Sequence, residues 1–161
     1  MTRRARRRGL ELADDTPSVL FCGHCGETPR EPDAVESRVC VRCGMGLLLR
    51  ASHAVAPGPD DPFLIVDGTL SVCAVSKKAE QLLEVSETQA IHRHVMDFLV
   101  PAVERDAPDD LLALLADAAR GSADWRETVV RPATHQDVSY EARVGTCGPP
   151  PAALIVLDAV A

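Results

Sequence analysis

Aromatic side chains make up only 3% of the 161 residues, namely Phe21, Phe63, Phe98, Trp125 and Tyr140. So few rings exclude a stacking platform for single-stranded nucleic acid and predict an aliphatic core. No apolar run approaches the roughly 18 residues that span a bilayer, so no membrane partner is expected. The arginine-rich start is followed by LELADD and not by an apolar stretch. It is therefore not a secretory signal, and a cytoplasmic location is expected. Neither a Gly-x-Ser-x-Gly elbow nor a phosphate-cradling glycine loop occurs. The serines fall at turns and helix starts. Asp109-Asp110 opens a helix, and Asp60-Asp61 lies in a proline-rich stretch. With no assembled nucleophile, base and acid, the chain is expected to be a non-enzyme that acts through binding.

Charge is unevenly spread. Arg3, Arg4, Arg6, Arg7 and Arg8 crowd the first eight positions, so a whole-chain charge of −7 leaves −12 on the remainder. A field of that sign repels phosphate backbones, and any nucleic-acid contact must come from the tail or a small local patch. Residues 1–18, polar and without periodicity, are expected to form a disordered arginine-rich tail. The length suits a small module joined to a compact domain of about 100 residues.

Six cysteines in a chain without an export signal favour metal or thiol chemistry over disulfides. Four of them form two C-x-x-C pairs, Cys22/Cys25 and Cys40/Cys43, with fourteen residues between. Each pair can offer two thiolates from one tight turn, and the intervening length lets the pairs meet as a tetrahedral S₄ site. Gly26 and Gly44 follow the pairs and can take the positive φ that turns backbone N–H groups toward sulfur. The expected cofactor is structural zinc held by Cys22, Cys25, Cys40 and Cys43. Four filled positions leave no room for a metal-bound water. Iron in the same cage lacks the surrounding aromatics it would want, and a redox dithiol does not explain two matched pairs. FCGHCG and VCVRCG resemble the two knuckles of a zinc ribbon over residues 19–50, a family that grips proteins, DNA or RNA. His24 is read as a solvent-facing knuckle residue. Arg38, Arg42 and Arg50, offset by Glu27, Glu31, Asp33 and Glu36, are read as a mixed-charge face.

Residues 51–61 are proline-rich and read as a linker, with a boundary near Pro57. Beyond it, PFLIVDG and LSVCAV predict a hairpin. Ser76 caps a helix with Ala79, Leu82 and Leu83 inward, and Ser86 caps further helical turns with Ile91, Val95, Phe98 and Leu99 inward. DDLLALLADAARG is a helix, and DWRETVVRP, VSYEARVGTC and AALIVLDAV are three strands. This order predicts an α+β domain: a five-stranded antiparallel sheet with short helices on one face. The final strand, nearly all apolar, should be central and covered on both sides.

The stretch from Asp61 to Leu99, with Ala79-Glu80-Gln81-Leu82-Leu83 at its centre, resembles the first half of a PAS domain, and the strands after Gly121 match the rest, over residues 62–161. Glu84 and His92 stand where that family commonly has glycine, and Ser76 where it often has asparagine. The resemblance implies a space between sheet and helices, hollow or packed, and a surface for homodimerisation. His92 and His94 are the candidates for a haem-facing wall, at most one of them inward. Cys73 and Cys147 are read as incidental thiols. A zinc ribbon that docks on a protein partner, joined to a PAS-like sensor or dimerisation module, is the expected function. Its alternative is a transcription-associated factor that binds nucleic acid or the transcription machinery through tail and ribbon.

Overall fold

The computed structural model describes residues 17–29, 38–102, 108–122, 124–135 and 137–159. The five arginines of the tail and the acidic residues Glu31, Asp33 and Glu36 lie outside them. Among the described residues, eight strands form one antiparallel sheet: β1 (Ser18–Cys22), β2 (Leu48–Ser52), β3 (Phe63–Val66), β4 (Val72–Val75), β5 (Leu99–Pro101), β6 (Arg126–Pro132), β7 (Tyr140–Gly148) and β8 (Ala152–Ala159). The helical elements are α1 (Lys77–Leu83), α2 (Glu87–Ala90), a 3-10 turn (Val95–Asp97) and α3 (Pro108–Ala119). None of the described helices is long and apolar enough to cross a membrane.

Strands β4, β3, β8, β7 and β6 lie side by side in that order and make up the predicted five-stranded PAS-like sheet. Its inner face carries the helices. Leu64, Val66, Val144, Ile155 and Leu157 from the sheet pack with Ala79, Leu83, Val95, Leu111 and Leu115 from the helical side. The buried side chains of this layer are mostly aliphatic, with Phe98 as a buried ring among them, in keeping with a chain so poor in rings. His92 and His94 are both exposed, so neither enters it.

Local chemistry fixes the helices. Ser76 Oγ accepts from Ala79 N at 3.2 Å as the cap of α1 and from Phe63 N at 2.9 Å, so one buried hydroxyl ties helix start to strand start. Ser86 and Gln89 form a reciprocal capping box on α2. Glu84 and His92 have φ of 53° and 69°, the left-handed region. The family's glycines at these positions thus answer a backbone demand, which this chain meets with side chains that pay strain for it.

What covers the second face of β8 is the ribbon. Alternation along β8 turns Leu154 and Val156 away from the helices, into a cluster with Phe21, Ala51, Val55, Phe63, Ile65 and Cys147. The rings of Phe21 and Phe63 meet edge to face at 5.8 Å. Burying Phe21 from the ribbon stretch and Val55 from the proline-rich stretch contributes about 1.5–3 kcal/mol each, so both stretches carry core-forming residues. The ribbon stretch also carries strands the periodicity does not predict: β1 pairs with β2, and β2 continues onto β7 through Arg50↔Gly148 and Ala51↔Cys147. The third unpredicted strand, β5, pairs with β6 where helical turns were expected.

The proline-rich stretch turns back over this second face. Pro57 is buried, and Val55 is only 1% exposed. A Cβ on Gly145 would come within 3.0 Å of Val55 Cγ1, so the glycine in β7 makes room for the crossing.

Candidate metal centre

Strand β1 ends at Cys22, and the chain then makes the first knuckle, Cys22 to Gly26, closed by Gly26 N donating to Cys22 O at 3.0 Å. The second knuckle, Cys40 to Gly44, closes the same way, with Gly44 N donating to Cys40 O at 2.8 Å. Gly26 and Gly44 have φ of 75° and 67°, the left-handed conformation expected of them. Backbone bonds then bring the knuckles together: Gly23 N donates to Leu47 O at 2.9 Å, and Leu48 N donates to Arg38 O at 2.8 Å.

The four sulfurs lie within 4.8 Å of one another. Cys22 Sγ is 3.6 Å from Cys43 Sγ, and Cys25 Sγ is 3.8 Å from Cys40 Sγ. A tetrahedron with metal–sulfur bonds of about 2.3 Å has edges of about 3.8 Å, so the cage has the dimensions of an S₄ site. Backbone donors support the ligands. His24 N and Cys25 N point at Cys22 Sγ at 3.3 and 3.4 Å, and Gly46 N points at Cys43 Sγ at 3.4 Å. Gly46 is a site residue that spacing does not single out. A Cβ there would run into Cys22 Sγ and lie 2.7 Å from His24 Cβ. The only sequence signal is that a second glycine, in Cys-Gly-Met-Gly, follows the knuckle.

The thiols differ in acidity. Burial pushes Cys22 up to about 12 and also raises Cys25. At Cys43 burial acts in the same sense, but the N–H groups of Gly46 and Met45 and the neighbouring thiols outweigh it and bring it down to about 6. The cage thus favours a thiolate first at the second knuckle, where a soft cation would find its first charged ligand. All six cysteines are free of disulfides. Cys147 is buried beneath the ribbon, whereas Cys73 is exposed on β4.

His24 is not solvent-facing. Its side chain is 19% exposed, with Nδ1 3.9 Å from Glu87 Oε1 on α2. Arg42 pairs with Glu27 at 3.1 Å, and Arg38 donates to Pro149 O at 3.2 Å, which fits a mixed-charge face. Beside them the ribbon leaves large apolar side chains outside: Val41 is 63% exposed, Met45 71% and Leu47 53%.

No protein-family model matches the chain. It is similar to the NAD-capped RNA hydrolase NudC of Deinococcus radiodurans, 32% identical over 94 residues, which cover 53% of this chain and 34% of that protein. The chain thus spans about a third of this relative's length. In structure it is similar to the PAS domain of an HTR-like protein from Haloarcula marismortui (TM-score 0.46, 13% identity, 62% of this chain and 81% of that one). It is also similar to a chain of the Escherichia coli DhaR(N)-DhaL complex (TM-score 0.42, 17% identity, 63% of this chain and 32% of that one). The hydrolase likeness overturns the expectation of a non-enzyme. The expectation rested on short motifs, on two adjacent-carboxylate pairs and on the filled S₄ site, whereas acid–base groups that meet only in the fold leave no such short signature.

Proposed function

We propose that this chain is a regulatory module of the sensor and signalling type, working in the cytoplasm, in which a zinc ribbon docks on a protein partner and a PAS-like domain carries the signal or dimerises. Zinc is held by Cys22, Cys25, Cys40 and Cys43, with residues 19–50 as the ribbon and 62–161 as the PAS-like part. The metal's role is architectural: four thiolates lock the knuckles, and the chain's own N–H groups point at the sulfurs of Cys22 and Cys43. The observation that carries the docking role is the exposure of Val41, Met45 and Leu47 on a knuckle anchored to the sheet. Apolar residues that a fold holds outside, on a rigid frame, are the usual core of a docking patch.

The test is a photo-cross-linking residue at Met45 in the native host. We expect one partner, lost in Leu47→Glu with zinc content unchanged, and lost with the zinc in the Cys22→Ser/Cys25→Ser variant. A cross-link that survives both changes overturns docking through the ribbon. Sedimentation of the purified chain reads the homodimer.

A second reading is favoured by the hydrolase likeness: the ribbon faces nucleic acid, with Arg38, Arg42 and Arg50 as phosphate contacts. It requires RNA binding that weakens steeply with salt. An assay of the chain on NAD-capped RNA reads hydrolysis directly.

A further inference from the structure

A cleft of about 350 Å³ opens on the outer face of the sheet, between the ribbon and the β3–β4 hairpin. One wall is ribbon, with Met45, Leu47 and Leu49; the other is sheet, with Ile65 and Ala74. It lies against the outer-face residues Ile65 and Ala74, with the start of α2 at its rim, so it is distinct from the space between sheet and helices that a PAS resemblance implies. Its volume falls at the small end of the range for ligand pockets, and its walls are mainly apolar.

The carboxylates at its border, Asp67 and Glu87, are negative. His24 lines it beside Glu87, and no lysine or arginine is among the lining residues. Asp67 Oδ1 is committed to its own turn, accepting from Thr69 N at 2.8 Å and Ser71 N at 3.1 Å. Glu87 is different. Its Oε2 accepts from Val75 N at 3.0 Å, which fixes the carboxylate, while Oε1 has His24 Nδ1 at 3.9 Å, beyond hydrogen-bond reach. A fixed carboxylate oxygen with spare acceptor capacity beside an apolar cleft is a receptor for a cation with N–H donors. The net charge of −7 favours the same ligand at long range.

We propose that this cleft binds a compact organic cation, an ammonium group on an aliphatic body, with the ammonium on Glu87 and the body between Leu49 and Ile65. This goes beyond the docking role. A ligand there touches ribbon, sheet and α2 at once, and so would hold the metal-bearing knuckle against the PAS-like domain.

The test is titration of the zinc-loaded full chain with hexylamine, hexanol and hexanoate, followed by calorimetry and by chemical shifts of the Ala74 and Ile65 methyls. Hexylamine is expected to bind about tenfold or more tightly than hexanol, the worth of one charge-assisted bond, and hexanoate least of all. Glu87→Gln keeps an acceptor for Val75 N but removes the charge, and should bring amine and alcohol to within about twofold. Ala74→Leu fills the cleft from the sheet side and should abolish binding of all three with unchanged thermal midpoint. Equal affinity for the three head groups, no amine binding at millimolar concentration, or amine binding indifferent to Glu87→Gln each overturns the proposal. None of these results touches zinc content or the Met45 cross-link, so the docking role stands or falls separately.

Discussion

Arg143 on β7 reaches diagonally to Asp158 on β8, two residues beyond its register partner Val156, Nε donating to Oδ2 at 2.9 Å on the outer side of the sheet. The same guanidinium donates through Nη1 to Ala54 O at 2.9 Å and approaches Asp61 at 3.8 Å. One half-buried arginine therefore clamps the crossing segment between ribbon and PAS-like domain at two points. Arg143→Met keeps most of the aliphatic stem and loses the fork. The expected cost is about 1–2 kcal/mol in urea unfolding, the range for hydrogen bonds to a charged group, discounted because Asp158 is 38% exposed. Asp158→Asn should cost less, since the bond to Ala54 remains. A change below a few tenths for Arg143→Met would show that the segment is held by Val55 alone.

Backbone strain gives an opposite sign. Glu84 and His92 are exposed and left-handed, so Glu84→Gly and His92→Gly each relieve steric cost while giving back part of it as unfolded-state entropy. Each is expected to stabilise by about 0.5–1 kcal/mol. Leu70, at φ 64°, is the contrast, because its side chain packs against the inner core. There the lost packing outweighs the relief, and Leu70→Gly should destabilise by about 1 kcal/mol. Thermal midpoints of the three variants settle the order.

Two glycines of the second knuckle separate space from strain. At Gly46 a Cβ meets Cys22 Sγ, so Gly46→Ala should abolish or strongly weaken zinc retention, read as metal per chain after dialysis. At Gly44 a Cβ meets nothing within 4 Å but the backbone is left-handed. Gly44→Ala should keep its zinc and lose about 1 kcal/mol. Equal zinc content in the two variants would remove Gly46 from the site.

Acid sensitivity is expected from Glu80. The Glu87 N–H, 2.6 Å from its Oε1, holds the carboxyl below its usual range, helped by Lys77 at 3.2 Å and opposed by burial. A carboxyl that ionises more readily in the folded state contributes stability above its unfolded value of about 4.5, and loses it as pH falls through the lower folded value. Glu80→Gln removes that contribution. Below about pH 4.5 the unfolding free energy of the native chain should therefore fall more steeply than that of the variant. Parallel curves would assign the hydrogen bond no linkage to protons.

The parts legible in the sequence are those written by side-chain type at fixed spacing. Two C-x-x-C-G pairs forecast the S₄ cage, Ser76 and Ser86 mark the helix starts they cap, and the order of two strands, helices and three strands forecasts the five-stranded sheet. The ribbon's place in that sheet is written otherwise. The rungs Arg50↔Gly148 and Ala51↔Cys147 are backbone pairs with no side-chain signature. Phe21, in the short apolar run Val19-Leu20-Phe21, and Val55, in the proline-rich stretch, both cover β8 but lie 34 positions apart with nothing in the sequence to link them. Gly46 matters through a sulfur 24 residues earlier in the chain, and Glu87 through Val75 and His24. Such contacts exist only once the topology has brought them together.

The pairing of β2 with β7 has a consequence for the metal-free chain. Strand β6 covers the outer edge of β7 only from Tyr140 to Val144, and the remaining rungs, at Cys147 and Gly148, belong to β2. Where loss of zinc melts the ribbon, that stretch is left as an open strand edge next to a stripped apolar face, a template for the same stretch of another molecule. Metal starvation would then be felt first as self-association and loss of protein from solution, ahead of any change in the helices on the far side.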